Sequence, residues 1–559
     1  MSGMSTHAPA AVGRDDRPPT HDIRAVPEVE AERPDTECPD APTPVLDGLL
    51  RYRERDYLAF HTPGHKRGTG APRKLREALG AALDVDLCLM PGFEDSRQRG
   101  GYLPAAERLA ADAWGTSRAF FLTNGSSGGL HTLAVALAPP GSVVVTPRNA
   151  HKALLGGLLL SGATPRYVEP EIDPEWGVPL NVPAERFASA LAESPAAAAV
   201  FVSSPSYNGC CADIAGVVRS AGKTVVAVDQ AWGAHLRFCD ALPPDAVSQG
   251  ADAFVTSIHK MLSGVSQASL IGAQGRRLDL ERLAAIVRLF ASTSMLVPIL
   301  ASIDAARSQM MTDGERLWSY AVELAEAVRD RLCAIPGMRC MGSEILARRS
   351  VSDFDRTRLT VSLAELGWAG YELEWELRRR YRIAVEAADA LNIVMNVSFA
   401  DTPETTGRLV SALTDIAARG PLLRDDGRSG RGRQDRGGPH STRAALSLTL
   451  PPFSRLLMTP REAYFAASRA VPLRDCVGEV CAEMATPYPP GVPVIGPGEE
   501  ITAELVAYLI EAGRRGLAIQ GPQDPTLATL RVVAGDPRGR SRTLSRGRVR
   551  RREGRARRP

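Results

Sequence analysis

Thr256-Ser257-Ile258-His259-Lys260-Met261-Leu262-Ser263-Gly264 is the stretch on which the reading of this chain turns. The apolar run Ala253-Phe254-Val255 leads into it and reads as a buried strand. Gly264 and the small residues behind it mark a turn before a second apolar run, Ala268-Ser269-Leu270-Ile271. A lysine at a strand exit, beside a histidine and a serine, suits a Schiff base to an aldehyde cofactor, with the amine as nucleophile. The Ser257 hydroxyl and the His259 imidazole can donate to a phosphate on the same molecule. A surface lysine at a strand-to-loop exit gives the same local pattern, so the stretches on either side decide between the two.

Strand candidates recur at Val143-Val144-Val145, Arg166-Tyr167-Val168, Ala199-Val200-Phe201-Val202 and Val225-Val226-Ala227-Val228, with Ala- and Leu-rich segments between most of them. This alternation predicts an α/β domain with a mostly parallel sheet and a ligand site at the strand C-terminal ends. The residues with chemistry fall at those ends. Arg148-Asn149-Ala150-His151-Lys152 follows one strand, Asp229-Gln230-Ala231-Trp232-Gly233-Ala234-His235 another, and Lys260 a third. Earlier, the strand Ala119-Phe120-Phe121-Leu122 leads into Thr123-Asn124-Gly125-Ser126-Ser127-Gly128-Gly129, and Leu130, Leu133 and Leu137 follow at helical spacing. Strand, Gly/Ser turn and helix together present backbone N–H groups and hydroxyls to a phosphate. This turn lacks the lysine of a nucleotide P-loop and the spacing of a dinucleotide fingerprint.

Read together, these stretches fit pyridoxal phosphate. Asp229, closing a buried strand, can pair with the pyridine nitrogen and keep it protonated, so that the ring accepts electrons. Capping of the next helix is the alternative for this aspartate. His151 can stack on one face of the pyridine, and Ala231 can pack on the other.

The motifs occur in a recognisable order: His61-Thr-Pro-Gly-His-Lys, Thr123-Asn-Gly-Ser-Ser-Gly, Pro147-Arg-Asn-Ala-His-Lys, Asp229-Gln-Ala-Trp-Gly-Ala-His, Ser257-Ile-His-Lys, Ser292-Thr-Ser and Tyr488-Pro-Pro-Gly. In that order they resemble the ornithine/lysine/arginine decarboxylases of the aspartate-aminotransferase-like fold, from about His61 to Thr502. The resemblance implies a large domain with a mostly parallel sheet, a small α/β domain and a C-terminal α+β domain. It implies that Lys260 carries the cofactor and that Ser257, His259, Ser126 and Ser127, at the Gly125 turn, hold its phosphate. It implies that His151 stacks on the ring and that Asp229 pairs with the ring nitrogen. Thr293 is implied to reach a neighbouring subunit's phosphate, which makes the active form a homodimer or higher homo-oligomer with shared sites. Shorter members commonly carry Glu-Ala-His after the aspartate. Here Gln230-Ala231-Trp232 stands instead, so Gln230 and Trp232 beside the cofactor are expected to reshape the pocket.

The expected activity is α-decarboxylation of arginine, lysine or ornithine, giving CO₂ and a polyamine precursor. An aminotransferase or another lyase on the same cofactor is the alternative within the class. A non-catalytic regulator that keeps the fold is the alternative outside it. Glu483 and Tyr488 are the residues expected to meet the substrate's distal cation, because Glu483 can pair with an ammonium or guanidinium and the Pro-rich run would hold it rigidly.

The 559 residues allow more than one domain. Residues 1–44, rich in Pro, Asp, Glu and Ala, read as a disordered leader. Residues 45–300 read as the cofactor-binding domain, 301–419 as a connecting helix and small domain, and 420–444 as a Gly/Arg/Asp linker. Residues 445–516 read as the C-terminal domain and 517–559 as a basic tail. Eleven arginines from Arg538 onward face one acid, Glu553, so the rest of the chain carries −7 of the overall +3. That acidic body weakly favours a cationic substrate. The tail reads as solvated and not as a specific nucleic-acid site. No apolar run approaches the ~20 residues that span a bilayer, and no secretory signal is evident. The nine cysteines lack metal-ligand spacing and read as free thiols in a reducing cytoplasm, with no metal expected.

Overall fold

The computed structural model describes residues 42–55, 57–88, 101–275, 277–420, 451–487, 491–515 and 517–535. The expected leader up to residue 41, the expected linker over 421–444, the first residues of the expected C-terminal domain (445–450), Tyr488 and the Arg-rich tail from 536 lie outside the described residues.

Seven strands form the central sheet: β1 (Arg118–Leu122), β2 (Val143–Pro147), β3 (Thr164–Val168), β4 (Ala199–Ser203), β5 (Val225–Asp229), β6 (Ala253–Ser257) and β7 (Ser269–Ala273). Their order is β1-β7-β6-β5-β4-β2-β3. β7 runs antiparallel to both β1 and β6, and every other pair is parallel. Six strands therefore point the same way and end on one edge. β-Branched and aromatic runs such as Val143-Val144-Val145 suit strands covered on both faces. Two apolar cores lie against the sheet.

Register then sets the site. Ser203 stands opposite Asp229, and Asp229 opposite Val255. Ser269 pairs with both Ser257 and Leu122. The strand ends that carry the expected chemistry are thus neighbours in space, although more than 130 residues separate Leu122 from Ser257.

Helix α1 (Pro44–Glu54) packs near the sheet, its Val45 N–H donating to Asp304 at 2.9 Å. Helices α2 (Gly125–Leu137) and α3 (Lys152–Ser161) follow β1 and β2. The longest helix, α4 (Val297–Cys333), has 37 residues, about 55 Å at 1.5 Å per residue. Its first half buries Leu300, Ile303 and Met310 in the large core, and its last turns bury Ala325, Val328 and Leu332 in a second core. The boundary expected at 300/301 therefore falls inside a continuous helix, because one apolar face serves two cores.

That second core belongs to an antiparallel sheet of β8 (Arg339–Cys340), β9 (Arg358–Ser362), β10 (Ala387–Ala388) and β11 (Asn392–Asn396), in the order β8-β9-β11-β10. Helix α5 (Pro403–Arg419) covers it, its start fixed by a capping box between Thr402 and Thr405.

The C-terminal unit holds β12 (Ser468–Pro472), β13 (Thr486–Pro487), helix α6 (Ala503–Arg514), β14 (Ile519–Gln520) and β15 (Thr529–Val533). β12 pairs antiparallel with β15, and β13 with β14. The expectation of a tail from 517 is corrected here. Leu530 and Val532 are fully buried, and 517–535 completes the sheets that begin before 516.

Candidate active site

One cavity of about 600 Å³ opens at the sheet's C-terminal edge. Its walls include Gly125, Ser126, Ser127, His151, Asp229, Ala231, Trp232, Ser257, His259 and Lys260. Ten residues singled out from sequence thus share one space. Three others do not join them as expected. Thr293 is exposed in the loop ahead of α4 and lies outside this cavity. Tyr488 lies outside the described residues. Glu483 is buried away from the cavity.

Gly125 stands at φ +72°, in the left-handed region that favours glycine, which lets the chain turn sharply from β1 into α2. Asn124 precedes the helix without capping it through its side chain. The first turn of α2 therefore keeps N–H groups for an anion. Ser126 Oγ and Ser257 Oγ lie 2.7 Å apart, so one hydroxyl donates to the other and the second keeps its proton for a ligand. On the other side of Lys260's turn, His259 Nδ1 lies 2.8 Å from the Ala268 carbonyl, which directs Nε2 elsewhere. Burial lowers the pKa of His259.

His151 caps α3, its Nδ1 accepting the Ala153 N–H at 3.2 Å. Burial, with Lys260 and Lys152 nearby, lowers its pKa to about 4. The imidazole is therefore neutral at ordinary pH, with its proton on Nε2. Asp229 is half-buried in the cavity wall, and Oδ1 accepts the Ala231 N–H at 3.2 Å. Burial raises its pKa, opposed by the charge of Lys260 and by that hydrogen bond. A carboxylate so placed favours a positive partner within the cavity. Lys260 has its pKa lowered to about 8, chiefly by burial and also by Arg358, with Asp229 pulling upward. Its Nζ lies 4.1 Å from the centroid of the Trp232 ring.

Gln230 does not share the place of Trp232. Its Nε2 donates to Gly233 O at 3.1 Å, its Oε1 accepts from Ala246 N at 2.7 Å, and it points into the large domain. The expected reshaping of the pocket falls to Trp232 alone.

Glu483 is corrected as a substrate residue. Oε1 accepts the Arg531 N–H and Oε2 the Gln523 N–H, each at 2.7 Å, so the carboxylate ties β15 to the start of its own sheet. Replacing Glu483 by glutamine puts an NH₂ group against an N–H donor. Stability should fall by about 1.5–3 kcal/mol in urea unfolding, while KM for a basic amino acid stays unchanged. A raised KM with unchanged stability would restore the discarded role.

Sequence reasoning passed over several wall residues: Ser203 at the end of β4 and Asn208 after it, Asp389 beside β10, and Pro493, Val494 and Tyr508 of the C-terminal unit. The strand exit Ser203-Ser204-Pro205-Ser206-Tyr207-Asn208-Gly209 carries the same signal as the exits that were chosen. The C-terminal wall is clasped on by Arg148. Its guanidinium donates to Glu499 at 2.8 Å and to the Pro493 carbonyl at 2.7 Å, and both charged side chains are buried. Lys152 N–H adds a bond to Gly491 O at 3.0 Å.

These elements match two family models: the Orn/Lys/Arg decarboxylase major domain over residues 43–358 and the C-terminal domain of the same family over 444–516. The chain belongs to the Orn/Lys/Arg decarboxylase family. An arginine decarboxylase of Halalkalibacterium halodurans is 36% identical over 88% of this chain and 97% of its own length. One of Bacillus subtilis is 36% identical over 88% and 98%. The solved structure of the Escherichia coli constitutive lysine decarboxylase superposes with a TM-score of 0.72 at 20% identity, covering 88% of this chain and 82% of that one. The fold is accordingly the aspartate-aminotransferase-like one, with a mostly parallel central sheet. Family membership makes the chain an amino-acid decarboxylase of the basic-substrate class, and it favours that activity over the aminotransferase and regulator readings. Among the described residues, no helix is long and apolar enough to cross a membrane, and no three His, Cys, Asp or Glu side chains are grouped to hold a metal.

Proposed function

We propose that this chain is a pyridoxal phosphate-dependent decarboxylase acting on arginine in preference to lysine or ornithine. The observation that carries this reading is the convergence of Lys260, Asp229, His151 and the Ser126–Ser257 pair on one cavity. The donor set fits the cofactor: an amine for its aldehyde, a half-buried carboxylate with a free Oδ2 for its ring nitrogen, and an N–H- and hydroxyl-rich helix start for its phosphate. When bound, pyridoxal phosphate supplies a carbonyl that captures amines and a ring that takes up the electron pair left by departing CO₂.

The protein's part follows from its own groups. The Lys260 amine is half uncharged near pH 8, so it can attack a carbonyl and can later accept or return a proton at Nζ. Asp229 Oδ2, with Oδ1 already engaged, is available to hold a proton on a ring nitrogen. The neutral His151 ring offers a stacking face without competing for that charge. Pro493, Val494 and Tyr508 from the C-terminal unit add apolar wall to the cavity, which would limit the water in a filled site.

Arginine as first choice is supported by the two 36%-identical relatives. It is also supported by Asp389, which with Asp229 makes up the carboxylates among the described cavity residues. Oδ1 accepts the Leu391 and Asn392 N–H groups and the Asn392 side chain, while Oδ2 accepts only from Asn392 Nδ2 at 3.0 Å, which leaves that oxygen room for a guanidinium; burial raises the Asp389 pKa against those bonds. Thr293, exposed ahead of α4, is assigned to a second subunit's phosphate site, which makes the active form at least a dimer. A cytoplasmic location is part of the proposal, supported by the free thiols among the described cysteines.

The test is a screen of CO₂ release and amine product over all amino acids. Arginine should give the highest kcat/KM, and Asp389→Asn should raise KM for arginine by roughly tenfold or more while sparing norleucine, an uncharged analogue. Preference for a neutral amino acid would end the substrate assignment.

A further inference from the structure

Arg358 opens β9 in the small domain, and its side chain is fully buried at 0% exposure. Its Nε, Nη1 and Nη2 have no hydrogen-bond partner among the described residues. Isolated buried charge is costly, and exchanging it for apolar volume is often neutral or stabilising. Stability therefore does not explain this arginine. The acids around it make no hydrogen bond to it, and Asp355, fully buried as well, offsets its charge only through space. Asp355 faces His235 at 3.1 Å and accepts the Thr357 hydroxyl at 2.6 Å. Glu386 accepts the Tyr207 hydroxyl at 3.0 Å.

The guanidinium lies instead over the Trp232 ring, 3.8 Å from its centroid. The Nζ of Lys260 is 4.1 Å from the same centroid. The two cations thus share one indole and lie within about 8 Å of each other. Trp232 lines the cavity, and Arg358 stands behind it, outside the lining.

We propose that Arg358 is a positioning residue for the Lys260 amine: a permanent cation held behind Trp232 that keeps the amine uncharged and able to attack. A guanidinium keeps its proton at any working pH, whereas an ammonium can lose one, so of two like charges in a dry site the lysine yields. Burial lowers the pKa of Arg358 as well, but from an ordinary value so high that it remains charged. Around Lys260, burial and Arg358 favour the neutral amine, while Asp229 and Glu386 favour the ammonium. The histidines that face it, His151 and His259, are themselves held neutral by burial. Burial is the largest of these influences, and Arg358 is the fixed charge that offsets the pull of Asp229.

The experiment follows the reactivity of Lys260 with fluorodinitrobenzene in the full-length protein freed of carbonyl compounds, read by peptide mass spectrometry between about pH 6 and 10. It needs neither substrate nor turnover, so its failure is separate from failure of the decarboxylase reading. Arg358→Met should move the midpoint upward by on the order of one pH unit, with thermal stability equal to or above that of the wild type. Should the methionine variant unfold, Arg358→Gln gives the same comparison. An unmoved midpoint in the neutral variants overturns the proposal; lowered stability together with an unmoved midpoint would make Arg358 a prop for Trp232.

Discussion

Lys260→Ala should give a folded protein that no longer retains pyridoxal phosphate after borohydride treatment and whose decarboxylation rate is lower by on the order of 10³-fold or more. The size of the effect follows from the position. Lys260 is the lysine among the cavity residues, it sits one turn past the end of β6, and its pKa is brought down to about 8. In the wild type, borohydride should fix the cofactor to a peptide containing Lys260. Mixing Lys260→Ala with Thr293→Ala should restore some activity, since a dimer with sites built from both subunits then has one undamaged copy. A wild type that takes up no cofactor would end the main reading. Mixtures no more active than their parents would remove the shared site alone.

Asp229→Asn should fold as the wild type does and lose roughly 10²–10³-fold in kcat, with a smaller change in cofactor affinity. The carboxylate closes β5, one strand over from the β6 exit that presents Lys260, and burial gives it strong reason to keep a cation beside it. An amide cannot hold a ring nitrogen protonated, and the cost is greatest when charge develops during CO₂ loss. A charge-assisted hydrogen bond is worth about 1.5–3 kcal/mol in the ground state. The larger loss in rate separates a catalytic carboxylate from a helix cap. Turnover near that of the wild type would identify Asp229 as the cap of the turn to Ala231.

The sequence by itself determined the sheet strands and the residues at their exits. Runs such as Val225-Val226-Ala227-Val228 can be buried on both faces only as inner strands, and a chemical residue directly after such a run must stand at the sheet's edge. Lys260, Asp229, His151 and the Gly125-Ser126-Ser127 turn were legible for that reason, each beside its own strand. The tertiary structure alone decided which distant groups meet. Glu483 reads in sequence as a free carboxylate on a rigid segment, yet backbone donors 40 and 48 residues later, at Gln523 and Arg531, occupy both of its oxygens. Thr529-Leu530-Arg531-Val532-Val533 sits next to a polar, Arg-rich end and reads as tail. It becomes a strand because β12 supplies the hydrogen-bonding partner and a core for Leu530 and Val532. Asp389 and Arg358 carry no local signal. The first reaches the cavity, and the second the back of Trp232, only because α4 holds the small sheet against the large one, and strand pairing is set by contacts far along the chain that no local window contains.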